Sequence, residues 1–384
     1  MKSYHHLMEQ YLSDENYYDA IREATVNKGG RKAKVARRKK IRETPDLYKD
    51  EFMTFAANYV SDEHRPIYIH DGIKQKKRRI VAPTMREQVA QHMMMRVLQP
   101  IFMRGMYEHS YGSIPGRGSH AGRSGRKKDG RRNSHTKGGK ETVEKWIRRD
   151  PKGMKYCLKM DIRHYYDSVP RSILKEKLRK LIHDKEFLRV VCAAVDMDGS
   201  DTGIPIGFYL SQWFANWYLT GLDHYIKEKL GARHYIRYVD DMVIFGSNKR
   251  ELHRMRQAIE DYLRDELWLE LKRNWRVYLF DYVKKNGTHV GSDLDFMGFR
   301  FYRDRTVLRR EIMLKITRKA RRIKKKQRAT LYDCCQMMSF LGWIDCTKTY
   351  GMYIRLVKPF VDFHEMKRRI RNAQRRRVET QRSK

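Results

Sequence analysis

The sequence predicts a mixed fold, of the α/β or α+β kind, on three observations. From Met154 onward, short apolar strands alternate with amphipathic helices. Upstream of that point the apolar spacing is helical and is interrupted by basic, Gly-rich stretches. No apolar run approaches the roughly 18 residues of a membrane span; the run Val190 to Val195 stops after six.

Taken in order, the N-terminus carries His5, His6, Glu9, Asp14 and Glu15 where a secretory signal would be apolar, so a cytoplasmic location is expected. Asn27 to Lys40 combines Gly with like charge and Gly116 to Lys140 adds Ser, and both are expected to be loops that order on a phosphate backbone. Between them, Val89, Met93, Val97 and Ile101 fall at helical spacing and predict a helix over 86–103 with a Met-rich buried side. Lys155 to Ile162 reads as a strand ending in an acid. A helix follows Pro170 with Leu174, Leu178, Leu181 and Ile182 in phase, and a second follows Ser211 with Phe214, Tyr218, Leu222, Tyr225 and Ile226 on one face. His234 to Phe245 predicts a hairpin whose two-residue turn is the acidic pair Asp240-Asp241. A helix over Leu252, Met255, Ile259, Leu263 and Leu267 comes next. Past Leu308 the chain turns basic and predicts a small helical subdomain, with a basic tail from Lys367 that reads either as a solvated helix or as a nucleic-acid contact. There is no internal repeat and no heptad register.

Charge narrows the function. Among 384 residues, 84 Lys and Arg face 46 Asp and Glu, a formal net charge of +38 that calls for a polyanionic partner. An aromatic content of 11% excludes a wholly disordered chain. The five cysteines are odd in number and form no C-x-x-C, which predicts buried reduced thiols rather than a disulfide framework or a zinc ribbon.

The sharpest local signal is Tyr238-Val239-Asp240-Asp241, set between apolar strands. Two adjacent carboxylates repel, so the pair is either an ordinary solvated turn or one end of a cation site. Asp161, ending the earlier strand, favours the second reading: carboxylates from neighbouring strands are suited to share two Mg²⁺ ions about 4 Å apart, the arrangement that activates a 3′-hydroxyl and stabilises a leaving pyrophosphate.

These residues resemble the reverse transcriptases, and within them the branch of the diversity-generating retroelements. KYCLKMDIRHYYDSVP looks like the family's first palm motif, GIPIGFYLSQ its second and RYVDDMVIFG its catalytic hairpin. KKRRIVAPTMREQVAQH resembles the fingers motif, HSYGSIPGRGSH the loop after it, and LDFMGFRF the primer-grip hairpin, so the likeness covers roughly residues 60–310. The branch is indicated by Gly207-x-x-x-Ser211-Gln212, although Phe208-Tyr209-Leu210 stand where that branch has Asn-Leu-Thr.

The resemblance implies an α+β right-hand polymerase: fingers over 1–150 with the basic Gly-rich loops, a palm with an antiparallel sheet over 151–304, and a basic helical thumb and tail over 305–384. Asp161, Asp240 and Asp241 would be catalytic. Asp161, Asp240 and the main chain of Ile162 would hold two Mg²⁺ ions, with Mn²⁺ as a substitute. Arg78 or Arg79 would clamp the triphosphate, and Tyr166 would exclude a 2′-hydroxyl unless it is a core aromatic. Gln212 would lie along the templating pair unless it caps its helix. Lys272 would protonate the pyrophosphate unless it is an ordinary surface lysine. Phe296, Met297 and Gly298 would form the primer grip. The implied partners are a structured noncoding RNA template, dNTPs, the RNA–DNA duplex and a small accessory protein, with no membrane. The implied activity is RNA-directed DNA synthesis, error-prone at template adenines. An antiphage defence polymerase with a dedicated noncoding RNA, or a maturase-like RNA-binding protein, are the alternatives.

Overall fold

In a computed structural model, residues 4–26, 32–71, 76–121, 137–197, 200–326 and 329–382 are described. The fold is α+β, and the chain divides into two units, one made of Met1–Pro115, Leu158–Ile244 and Arg250–Arg276, the other of Gly116–Cys157, Phe245–Lys249 and Val277–Lys384.

In the first unit, after a short helix Leu7–Tyr11, helices Asp14–Thr25 and Lys49–Ala57 pack on the long helix Met85–Gly105. That helix starts at a capping box, in which Thr84 and Glu87 satisfy each other's backbone N–H groups. Val89, Met93, Val97 and Ile101 are buried along it as their spacing requires. Arg96 fastens it to Asp14–Thr25 through Asp19 at 2.5 Å and Glu23 at 2.7 Å. The expected loop Asn27 to Lys40 is corrected over its described part: Lys32–Glu43 is a helix. Lys, Arg and Ala are strong helix formers, and one buried side chain, Ile41, moors the helix while its basic residues remain at the surface.

An antiparallel hairpin, Ile67–Asp71 with Lys76–Ile80, precedes the long helix. Strands of the central sheet then run in the order Ser110–Tyr111, His234–Tyr238, Asp241–Gly246, Tyr156–Asp161. The first two of these pair in parallel. Helices Arg171–Leu181, Lys185–Val195 and Lys249–Leu267 supply apolar faces, including Leu174, Leu178, Ile259 and Leu263 at 0% exposure. The helix expected after Ser211 is instead three pieces, Tyr209–Tyr218, Thr220–His224 and a wide turn over Tyr225–Lys229. Widening the turn keeps Leu222 and Ile226 buried while Tyr225 stacks on Tyr262.

In the second unit, Leu294–Phe296, Phe299–Phe301 and Thr306–Leu308 form an antiparallel sheet. Helices Arg310–Lys326, Leu331–Asp345, Tyr350–Leu356 and Phe363–Arg382 follow. Lys319 bonds Asp333 at 2.5 Å, which with the Thr330 cap holds that carboxyl far below its usual range. The expected loop Gly116 to Lys140 lies outside the described residues over 122–136. Its ends are ordered rather than looped: Arg117–Gly118 pairs in parallel with Lys137–Gly138, and a helix begins at Gly139. Cys157 and Cys334 are buried, but Cys192 and Cys346 are half-buried and Cys335 is exposed, correcting the expectation that all five are buried. Among the described residues no helix is long and apolar enough to cross a membrane.

Candidate active site

Asp161 ends its strand with the side chain turned to a partly open surface, after Leu158 and Met160 have been spent on the core. Its main-chain oxygen accepts from the Lys272 N–H at 2.8 Å, and its Oδ2 accepts from Lys272 Nζ at 2.7 Å. Across the sheet, the hairpin His234–Tyr238/Asp241–Gly246 turns at Val239-Asp240, not at Asp240-Asp241 as the sequence predicts. Val239 has φ 57°. A β-branched residue there costs on the order of 1–3 kcal/mol, so no pattern rule places it in a turn.

The shift of one residue divides the acids. Asp240 hydrogen-bonds to Asp161, and burial, then the Asp161 charge and that bond, push its carboxyl up to about 7. The two carboxyls thus lie within hydrogen-bonding distance of each other, and Lys272 answers the Asp161 side of the pair. Asp241 begins the second strand and faces Lys159 Nζ at 3.4 Å. Among the described residues no group of three or more His, Cys, Asp or Glu is set to hold a metal ion. The paired Asp161 and Asp240 nevertheless fit a hard divalent cation, because a cation would offset the mutual repulsion that helps raise the Asp240 carboxyl.

After Asp161 the chain turns through His164, at φ 44°, into the short helix Tyr165–Ser168. Tyr165 is buried and donates to the Ala215 carbonyl, which leaves Tyr166 half-buried beside the acids. Burial and the neighbouring Asp240 push the Tyr166 hydroxyl up to about 12, while Arg78 acts in the opposite direction. Asp161, Asp240, Tyr166 and Arg78 are therefore brought into one electrostatic neighbourhood. Arg78 and Arg79 are exposed on the strand Lys76–Ile80, just before Val81, whose N–H donates to the Ile206 carbonyl at 2.8 Å. Gly207, at φ 123°, makes this approach possible, since a Cβ there would stand 1.9 Å from the Val81 oxygen. Gln212 is exposed in the first turn of Tyr209–Tyr218; Phe208 is the N-cap, so Gln212 has no capping role.

Phe296, Met297 and Gly298 belong to the second unit. Phe296 ends its strand, and Met297 at φ 53° with Gly298 at φ 89° forms the two-residue hairpin tip. Trp343 stacks on Phe299 with ring centroids 5.1 Å apart, and a Cβ on Gly298 would come within 3.0 Å of it.

Asn216, Asp223 and Arg237, which no sequence motif singles out, form a polar cluster at 0% exposure under the Val239-Asp240 turn. The one available signal was Arg237 itself, a charge within an otherwise apolar strand.

Residues 69–275 match the family model described as reverse transcriptase (RNA-dependent DNA polymerase). Protein YkfC of Escherichia coli strain K12 is 22% identical over 300 residues, covering 68% of this chain and 71% of that protein. Apo telomerase from Candida tropicalis aligns with a TM-score of 0.42 at 14% identity, covering 68% of this chain and 52% of that one. The chain thus spans about half the length of that telomerase.

Proposed function

Because the chain belongs to the reverse transcriptase family, the RNA-directed DNA polymerases, we propose that Asp161 and Asp240 are the catalytic centre of primer extension with deoxynucleotides on an RNA template. The observation that carries this is the contact of the Asp161 and Asp240 carboxyls at the meeting of a strand end and a hairpin turn. Family members use divalent metal ions, and Asp161, Asp240 and the Ile162 carbonyl would hold two Mg²⁺ ions, with Mn²⁺ as a substitute. When bound, such ions lower the pKa of the primer hydroxyl and offset charge on the leaving pyrophosphate.

The remaining work falls to the chain. Arg78 or Arg79 holds the triphosphate by bidentate contacts. Tyr166 stands against the sugar and rejects a 2′-hydroxyl by steric clash. Gln212, exposed at its helix start, contacts the base pair. Lys272 offers an ammonium next to Asp161 for the departing pyrophosphate. Asp241, facing Lys159, tunes the charge at the edge of the site. Phe296, Met297 and Gly298 hold the primer strand. Residues 1–150, 151–304 and 305–384 then serve as fingers, palm and thumb.

The Gly207-x-x-x-Ser211-Gln212 signature supports a diversity-generating role, copying a structured noncoding RNA with errors at adenines and with a small accessory protein bound. Sequencing the RNA and DNA that co-purify with the chain tests this. Bound noncoding RNA with cDNA altered at adenines is expected; faithful or repetitive cDNA would point to an antiphage role, and RNA without cDNA to a binding protein.

A further inference from the structure

We propose that Arg237 and Asp223, acting with Asn216 and Gly112, are positioning residues that lock the Val239-Asp240 turn and thereby aim the Asp240 carboxylate. This inference rests on the catalytic reading of Asp240 given above.

The turn is strained at Val239, and a strained backbone persists only where its surroundings over-determine it. Three contacts do so. The Val239 N–H donates to the Tyr111 carbonyl at 3.1 Å. The Val239 carbonyl accepts from Arg237 Nη1 at 2.8 Å. Its side chain lies on Gly112, where a Cβ would come within 2.7 Å of Val239 Cγ2 and where φ is 92°. Gly112 is fixed in turn, since its carbonyl accepts from Asn216 Nδ2 at 3.0 Å. Asn216 Oδ1 accepts from Arg237 Nη1 at 3.3 Å, closing the circuit.

Arg237 and Asp223 are both at 0% exposure. Arg237 Nε and Nη2 donate to the two Asp223 oxygens at 2.8 and 2.6 Å. Tyr235 and Ser110 donate to the same carboxylate at 2.7 and 3.1 Å. A buried ion pair with every lone pair answered is rigid, yet apolar residues of like volume would hold the fold as well. Stability alone therefore does not explain two desolvated charges at this place. Their reach to the residue before Asp240 does: a bidentate guanidinium pinned by Asp223 has one position from which Nη1 can hold Val239.

The test compares two variants with the wild-type chain in single-nucleotide incorporation and in Mn²⁺ binding followed by electron paramagnetic resonance. Arg237→Met with Asp223→Leu removes both charges together and so leaves no lone buried ion. Gly112→Ala disturbs Val239 from the other side and touches no charge. A displacement of about 1 Å at a reacting group costs on the order of 100-fold in rate. Both variants are expected to lose about that much in kcat, to keep KM for the dNTP within about threefold, and to bind Mn²⁺ about tenfold more weakly. Wild-type kcat and Mn²⁺ affinity in a folded variant of either kind would overturn the clamp. If the double variant does not fold, Gly112→Ala decides alone. A wild-type chain that incorporates no nucleotide, or an Asp240→Ala chain as active as wild type, would instead mark failure of the catalytic reading.

Discussion

Replacing Asp240 with Asn should stabilise the metal-free protein at pH 8 and leave it nearly unchanged at pH 4. The carboxyl is raised from 3.8 to about 7 in the folded chain. A raised acid binds its proton more tightly when folded, so its stabilising contribution is complete below pH 4 and is lost as pH climbs through about 7. Fully felt, a rise of this size is worth about 4 kcal/mol; relaxation and water reaching the edge of the partly buried carboxyl reduce that to about 1–2 kcal/mol. Asn keeps the hydrogen-bonding shape without the charge. For a unit of this size the melting temperature should therefore rise by about 2–8 °C at pH 8. The assay is thermal denaturation of both proteins in chelator at pH 4 and pH 8. Adding Mg²⁺ at pH 8 should raise the wild type and close the gap. An equal difference at both pH values, or none, would refute the raised Asp240 carboxyl.

Asp240→Ala with Asp241→Ala should abolish incorporation while RNA affinity stays within about twofold, read by primer extension beside filter binding. Tyr166→Ala should admit ribonucleotides; an unchanged preference for dNTPs over rNTPs in competition would remove its gate role. Gly207→Ala should cost at least about 2 kcal/mol, because the new Cβ meets the Val81 carbonyl, and should raise KM for the dNTP by loosening the strand that carries Arg78 and Arg79. RNA affinity should fall steeply with salt, and neutralising Lys34, Arg37 and Lys40, all exposed on Lys32–Glu43, should flatten the log–log slope by about 2–3. A salt-independent affinity would contradict a phosphate-binding surface.

The hairpin and the acid-ended strand were legible because apolar runs broken by Asp are rare, and their order along the chain carries the family likeness. The turn was misplaced by one residue because Val239 takes a conformation that its own chemistry disfavours. Only the packing of Gly112, Tyr111 and Arg237 around it decides the matter. The helix Lys32–Glu43 was hidden by its charge density, which masks good helix propensity when a single side chain, Ile41, is buried. Arg237 was overlooked for a related reason: in a strand read by alternation a charge is assigned to solvent, and its partner Asp223 is brought to it only by tertiary folding. Gly207 was noticed as a motif letter, but its purpose, admitting the Val81 carbonyl, exists only in three dimensions.

A catalytic centre at Asp161 and Asp240 is tested most directly by primer extension on a heteropolymeric RNA template with dNTPs and Mg²⁺, comparing wild type with Asp161→Asn and Asp240→Asn. Template-length cDNA is expected from the wild type and none from either variant, with all three binding the primer–template alike. Extension by either variant at the wild-type rate would contradict a catalytic centre at Asp161 and Asp240.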